Sequence, residues 1–105
     1  MNRLHLRFAP GAAEQLNVAA EWWKQNRPAA ADLFTAEFRA AAELLCEVPA
    51  VGAIYPNDEL RDVRRYLMRK TRFHIYYVVD ANALIIAAVW SAVRGHGPFA
   101  PSASG

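Results

Sequence analysis

The chain begins with alternating apolar and polar side chains and then changes to helical spacing. Leu4, Leu6 and Phe8 share one parity and are separated by basic or histidine side chains, which predicts a half-buried strand over residues 3–8. After a Pro-Gly pair, apolar positions recur every three or four residues. This spacing predicts a first helix over residues 12–25.

The second helix has the clearest pattern in the chain. Apolar side chains recur at i, i+4, i+7, i+11 and i+14 from Phe34 to Val48, and alanines fill many of the remaining positions. Alanine has the highest helix propensity and allows two helices to approach closely. Pro49 then ends the pattern. The two periodic segments therefore predict a helical hairpin.

The second half of the chain has the spacing of strands. Residues 53–55 predict a short strand, and residues 61–68 are extended with no cleanly apolar parity, which predicts a β-bulge or strong twist there. Residues 72–79 alternate cleanly and end in an Asp-Ala-Asn turn. Residues 84–90 are apolar at both parities, as in a strand at the middle of a covered sheet.

These elements predict an α+β fold with an N-terminal strand, a helical hairpin and then a three- to four-stranded twisted antiparallel sheet. We expect one domain over residues 1–95 and a flexible tail over residues 96–105, because the tail has few apolar side chains.

Composition limits the location of the chain and its class. Hydrophobic residues make up 54% of 105 positions, which is enough for a core and excludes a disordered chain. The longest apolar run, residues 83–90, is too short to span a membrane, and charge appears too early for a secretory signal. A single cysteine, Cys46, permits no internal disulfide. We therefore expect a cytoplasmic protein in which Cys46 is buried and unreactive.

Charge is unevenly distributed. Residues 10–50 carry six acidic and three basic side chains, a net charge of −3, whereas residues 61–72 carry six basic and one acidic side chain, a net charge of +5. The basic side chains of this second segment are Arg61, Arg64, Arg65, Arg69, Lys70 and Arg72. Like charges on one hairpin repel each other unless an anion lies over them. The segment is either a solvated strand face or a groove that binds phosphate or carboxylate.

Other chemistry is scarce. The sequence contains no glycine-rich phosphate loop and no metal-ligand spacing of histidine and cysteine, so we expect neither a metal nor a cofactor. His74 shares a parity with Arg72 and Tyr76, and neighbouring cations should lower its pKa. Trp22 lies either at the edge of the core or on a partner surface, and Trp90 ends the last strand near Arg94.

Three segments carry a family resemblance, namely Leu60–Arg65, Arg72–Asp80 and Ile86–Arg94, which follow an alternating strand and an alanine-rich hairpin. Together they resemble the RelE/ParE superfamily of bacterial type II toxins, also called plasmid-stabilisation proteins. The resemblance covers about residues 3–98 and implies the fold stated above.

RelE-like members of the superfamily are ribosome-dependent mRNA endoribonucleases. For that activity the resemblance implies an active set of His74, Arg65, Arg69 and Arg94. Leu67 stands where RelE-like members have a lysine, and no tyrosine follows Arg94.

ParE-like members are more similar, through the long hairpin and the ending from Val89 to Pro98. They poison DNA gyrase, and this resemblance implies a cognate antitoxin partner whose flexible segment folds over the hairpin and sheet edge. Ser91 stands where relatives often carry histidine. A third possibility is a non-toxic binding module of a degenerate toxin–antitoxin pair. The expected target-binding residues are Arg61, Arg64, Arg65, Arg69, Lys70, Arg72, Tyr76, Trp90 and Arg94.

Overall fold

The computed structural model describes residues 3–99, and within them a strand and two helices precede four further strands. The bounds are β1 (His5–Phe8), α1 (Ala12–Asn26), α2 (Leu33–Glu47), β2 (Ala53–Ile54), β3 (Arg64–Met68), β4 (Phe73–Asp80) and β5 (Ala83–Ser91). Short 3-10 turns at Pro28–Ala30 and Pro49–Val51 precede α2 and β2. The predicted α+β class and helical hairpin are confirmed. Residues 100–105 of the predicted tail lie outside the described residues.

The five strands form one mixed sheet in the order β1-β5-β4-β3-β2. The strands β2 to β5 pair with one another in antiparallel fashion, whereas β1 pairs in parallel with β5, with Leu6 opposite Leu84. The sequence pattern did not predict this parallel pair, because it depends on a crossover through both helices rather than on a local turn. Both parities of β5 are apolar because Leu84 and Ile86 pack in the core with the helices, while Ala88 packs in a smaller cluster on the other face of the sheet.

Of the two alternatives predicted for residues 61–68, a bulge or a strong twist, the bulge was wrong. β3 pairs with β4 without interruption over its whole length. The register shift instead follows Tyr76, which pairs with Ala88, and it leaves Ala87 as the extra residue of β5. The mixed pattern of residues 61–68 has another cause, because the chain turns before Val63 and each side of β3 carries one arginine, Arg64 on one side and Arg65 on the other.

Both helices lie on one face of the sheet and form the main core with it. Trp23 closes the turn between them, because its indole Nε1 donates a hydrogen bond to the Ala30 carbonyl at 2.9 Å. Cys46 is buried in this core, as predicted. The large side chains of the cluster are Trp23, Phe34, Phe38, Leu45, Met68, Ile75, Tyr77, Leu84 and Ile86. Truncating one such side chain to alanine typically costs about 2–5 kcal/mol.

The edge strand β1 is more exposed than its alternation predicts. Leu6 is 41% exposed and Phe8 is 37% exposed, although Phe8 stacks on Phe38 with a centroid distance of 6.3 Å. Beyond the end of β1, the Val89 backbone N–H of β5 has no strand beside it, and it donates to Gln15 Oε1 of α1 at 2.9 Å. The Gln15 side chain therefore supplies the acceptor that a backbone carbonyl of a neighbouring strand would otherwise provide.

Neither helix of residues 3–99 covers the opposite face of the sheet, which we call the open face. Its small cluster is formed by buried Tyr76, Val63 and Ala88, with Tyr55 and Phe99 against it. Within residues 3–99, neither helix is both long enough and apolar enough to cross a lipid bilayer.

Candidate target-binding surface

The turn between β3 and β4 carries three of the predicted cationic side chains, Arg69, Lys70 and Arg72, all exposed. Glu37 of α2 holds this turn. Its carboxylate accepts hydrogen bonds from the Lys70 N–H at 2.8 Å, the Thr71 N–H at 2.9 Å and the Thr71 hydroxyl at 2.7 Å. Arg72 adopts a left-handed backbone conformation with φ of 65°. A conformation of this kind in a non-glycine residue needs surrounding support, and Glu37 provides it next door.

Arg64 has a structural role. Its guanidinium donates to the Gly52 carbonyl at 2.7 Å and to the Ala50 carbonyl at 3.3 Å. The buried Tyr77 hydroxyl fixes the same loop, because it accepts a hydrogen bond from the Gly52 N–H at 2.9 Å and donates to the Pro49 carbonyl at 2.7 Å. Arg64 is thus directed to the segment between α2 and β3, while Arg61 lies exposed in the turn before β3.

Arg65 and Arg94 meet at a small pocket on the open face, which we call the open-face pocket. Its volume is about 200 Å³, and its lining also includes His74, Tyr76 and Tyr55. Arg65 of β3 is paired with Tyr76 of β4, His74 lies two residues before Tyr76 on the same strand, and Arg94 follows β5. The remaining lining residues are Ser91, Ala92, Gly95, His96 and Gly97.

Aromatic rings hold both guanidinium groups of the open-face pocket. Arg65 lies over the Tyr55 ring at 5.0 Å from the centroid, and Arg94 lies over the Trp90 ring at 4.2 Å. Cation–π contacts of this kind hold a side chain without neutralising its charge. None of the described residues that line the pocket is acidic. The lining therefore does not neutralise either guanidinium group, and Arg65 also has a hydrogen bond with the Tyr76 side chain.

The pKa values of two side chains in the pocket, His74 and Tyr76, are shifted toward the neutral forms. Burial lowers the pKa of His74 below its usual 6.5, and the positive charges of Arg65 and Arg72 lower it further. Burial raises the pKa of Tyr76, and the interaction with Arg65 opposes part of that rise. At pH 7 the histidine is neutral and the tyrosine is protonated, so the arginines supply the charge of the pocket.

A second concavity, which we call the helix groove, lies between α1 and the ends of β4 and β5, with a volume of about 680 Å³. Trp22, 48% exposed, and Val18 contribute to its apolar lining. Trp22 is therefore exposed, and its role in a partner surface stays a prediction. The groove is also lined by one acidic side chain, Glu14, and by four basic side chains, which are Arg27, Lys70, Arg72 and Arg94.

The predicted binding residues therefore divide among several places. The open-face pocket contains Arg65, Tyr76 and Arg94, together with His74. The helix groove is lined by Lys70, Arg72 and Trp90. Arg61 and Arg69 lie at exposed turns.

Sequence reasoning missed three contributors to these sites. The sequence pattern places Tyr55 only in a short strand. In the structure the Arg65 guanidinium lies over the Tyr55 ring, and the centroids of the Tyr55 and Tyr76 rings are 5.0 Å apart. The sequence pattern indicates only that Glu37 is an acidic residue of the second helix and that His96 belongs to the tail. No local pattern distinguishes these residues, since each acts on a partner more than five residues away.

Taken together, the fold and these surfaces define a small α+β domain that presents cationic and aromatic side chains beside its sheet. The family model for the ParE toxin of the type II toxin-antitoxin system, parDE, matches residues 6–94. The chain therefore belongs to the ParE toxin family, which confirms the resemblance drawn from its sequence.

A solved structure of the chromosomal ParDE TA system from P. aeruginosa is similar in fold, with a TM-score of 0.68 and 19% sequence identity. The match covers 85% of this chain and 96% of that one. The comparison with curated proteins gave no match.

Proposed function

We propose that this chain is a cytoplasmic toxin that acts by binding DNA gyrase and is neutralised by a cognate antitoxin. One observation carries the proposal beyond family membership. The Arg65 and Arg94 guanidinium groups are held by aromatic rings in a pocket without an acidic lining residue. A folded protein that keeps two cations close together loses stability through their repulsion, and an anionic partner recovers it.

The proposed target surface continues beyond the pocket. The β3–β4 turn adds Arg69, Lys70 and Arg72, and Glu37 fixes its backbone from α2. A rigid cationic turn loses little entropy on binding, because its conformation exists before the partner arrives. Arg64 is the predicted member that contributes through the fold, since it holds the loop before β2.

The helix groove supports the antitoxin part of the proposal. An antitoxin segment with apolar side chains on one face and acidic side chains beside them would match its apolar lining and basic surroundings. Trp22 is the expected anchor, because tryptophan buries a large area when it is covered and often dominates binding energy. The groove flanks α1, the first helix of the hairpin.

An mRNA endoribonuclease is the second candidate. His74, neutral at pH 7, lies with Arg65 and Arg94 in one pocket, where it could act as a general base. Arg69, the fourth residue of the proposed active set, is an exposed turn residue that does not line the pocket.

Two assays run side by side test the proposal. Purified wild-type chain should inhibit DNA supercoiling by gyrase and leave mRNA intact in a coupled translation reaction. Arg65→Gln should weaken supercoiling inhibition by about tenfold or more, as expected for one charged contact at an interface. Arg39→Gln, at an exposed position of α2, is the matched control and should not change supercoiling inhibition. Cleaved mRNA with normal supercoiling would establish the nuclease instead, and a chain inactive in both assays would be a degenerate binding module.

Antitoxin binding is tested separately. Trp22→Ala should weaken the complex with the cognate antitoxin by about tenfold or more while supercoiling inhibition stays normal. Val48→Ala removes a similarly exposed apolar side chain outside the groove and should have no effect. Equal effects of both substitutions would contradict a docking site in the helix groove.

A further inference from the structure

Residues 95–99, which we call the strap, pass over the open face after β5. The Trp90 indole Nε1 donates a hydrogen bond to the His96 carbonyl at 2.9 Å, and the two rings lie 5.8 Å apart. Phe99 places its ring edge-on to Tyr76 at 5.6 Å. Aromatic side chains from two strands therefore hold the strap against the sheet.

Gly97 shows how closely the strap approaches. A Cβ atom at this position would lie 2.5 Å from the Tyr55 hydroxyl oxygen and 3.5 Å from that of Tyr76. No non-bonded carbon atom approaches an oxygen so closely, so only glycine fits without a shift of the strap or of Tyr55. At Gly95, in contrast, a Cβ atom would have open space around it to a distance of 4 Å.

The strap lines one side of the open-face pocket and does not fill it. Gly95, His96 and Gly97 form one of its walls, and about 200 Å³ remains inside. A water molecule takes about 30 Å³ of liquid, so this volume accommodates one phosphoryl group with several waters. If the strap blocked this cationic pocket by imitating an anionic ligand, it would place a carboxylate beside the arginines. Residues 95–99 contain no acidic side chain.

The donors within the pocket suit a tetrahedral oxyanion. Two guanidinium groups, from Arg65 and Arg94, provide planar pairs of N–H donors, and the Tyr55 and Tyr76 side chains add hydroxyl groups. The strap lines one side of the site, and each hydrogen bond from a guanidinium group to the oxyanion would be charge-assisted.

We propose that the open-face pocket binds a phosphoryl group and that the strap is the wall that completes this site. The inference deepens the proposed target surface by naming the chemistry that Arg65 and Arg94 recognise. It does not depend on gyrase, and its test uses inorganic phosphate alone.

The experiment is a titration of the full chain with sodium phosphate, against sodium chloride at matched ionic strength, followed by two-dimensional NMR. The wild-type chain should show saturable shifts at pocket residues. Arg94→Gln should weaken phosphate binding by about tenfold or more, the equivalent of one charge-assisted hydrogen bond. Arg39→Gln on exposed α2 should leave binding unchanged. Equal binding by Arg94→Gln and wild type would overturn the site, because diffuse surface charge would then explain it.

Substitution of Gly97 tests the strap. Gly97→Ala should displace the strap, move the Trp90 indole N–H resonance, and weaken phosphate binding by about threefold or more. Val79→Ala, at an exposed position of β4 that does not line the pocket, is the control and should change neither. Gly97→Ala that moves the indole resonance while phosphate affinity stays the same would overturn the strap's role as a wall. Circular dichroism of each variant checks that the rest of the chain is folded. Gyrase inhibition that fails while phosphate still binds would contradict the target proposal and leave this site in place.

Discussion

Glu37 offers a sharp test of how the cationic turn is held. Its carboxylate accepts three hydrogen bonds from Lys70 and Thr71, across 33 and 34 residues of sequence. Glu37→Ala removes all three and leaves the Thr71 N–H, in a buried residue, without its partner.

The magnitude follows from the number and type of these bonds. A hydrogen bond to a charged group contributes about 1.5–3 kcal/mol net. Glu37 is partly exposed, so water replaces some of the lost interaction. We therefore expect the free energy of unfolding to fall by about 3 kcal/mol, or about 12–24 °C in melting temperature for a domain of this size.

Urea denaturation followed by circular dichroism measures this change. The m-value should stay constant while the midpoint falls, since the folded core is unaltered. Glu37→Gln keeps one carbonyl oxygen as an acceptor and should show about half the loss. Glu43→Ala, at an exposed position of the same helix, should stay within about 0.5 kcal/mol of wild type. If Glu37→Ala matched Glu43→Ala, the turn would not depend on Glu37 and the reasoning would be refuted.

Two further predictions concern Tyr77 and His74. Tyr77→Phe removes the hydroxyl that joins Gly52 to Pro49 and should lower the free energy of unfolding by about 1–3 kcal/mol in urea melts; Tyr66→Phe, on the neighbouring strand, should change it by less than about 0.5 kcal/mol. Because the folded-state pKa of His74 is lowered from 6.5, the unfolded chain binds the proton more readily, so stability is full above pH 6.5 and declines as the pH falls from there toward the folded pKa. His74→Gln should flatten this part of the urea-midpoint profile between pH 8 and 5, and an unchanged slope would contradict the assignment.

Most of the helices and strands could be predicted from the local spacing of apolar residues. The helical stripe from Phe34 and the alternation after Arg72 predicted α2 and β4 closely, because both patterns arise from burial of one face. The parallel pairing of β1 and the bulge at Ala87 could not be predicted in this way. Both depend on contacts between segments that are distant in sequence, and no single segment records them.

The candidate site was predicted only in its charge. The density of arginines after residue 60 indicated a cationic surface, but not which side chain faces where. Arg64 and Arg65 are neighbours, yet one holds backbone carbonyls and the other lies over Tyr55, because successive strand residues point to opposite sides of the sheet. The supporting residues Glu37 and Tyr55 come from other elements, so their roles became visible only once the chain was folded.

The parallel pairing of β1 with β5 also bears on the synthesis of the chain. The first strand has its sheet partner only in the last one, with Phe8 opposite Ile86 and Ala9 donating to the carbonyl of that same isoleucine. A nascent polypeptide on the ribosome therefore cannot finish folding until translation has passed β5. Arg94 and the strap follow that strand directly, so the open-face pocket also forms only after β5 has been translated.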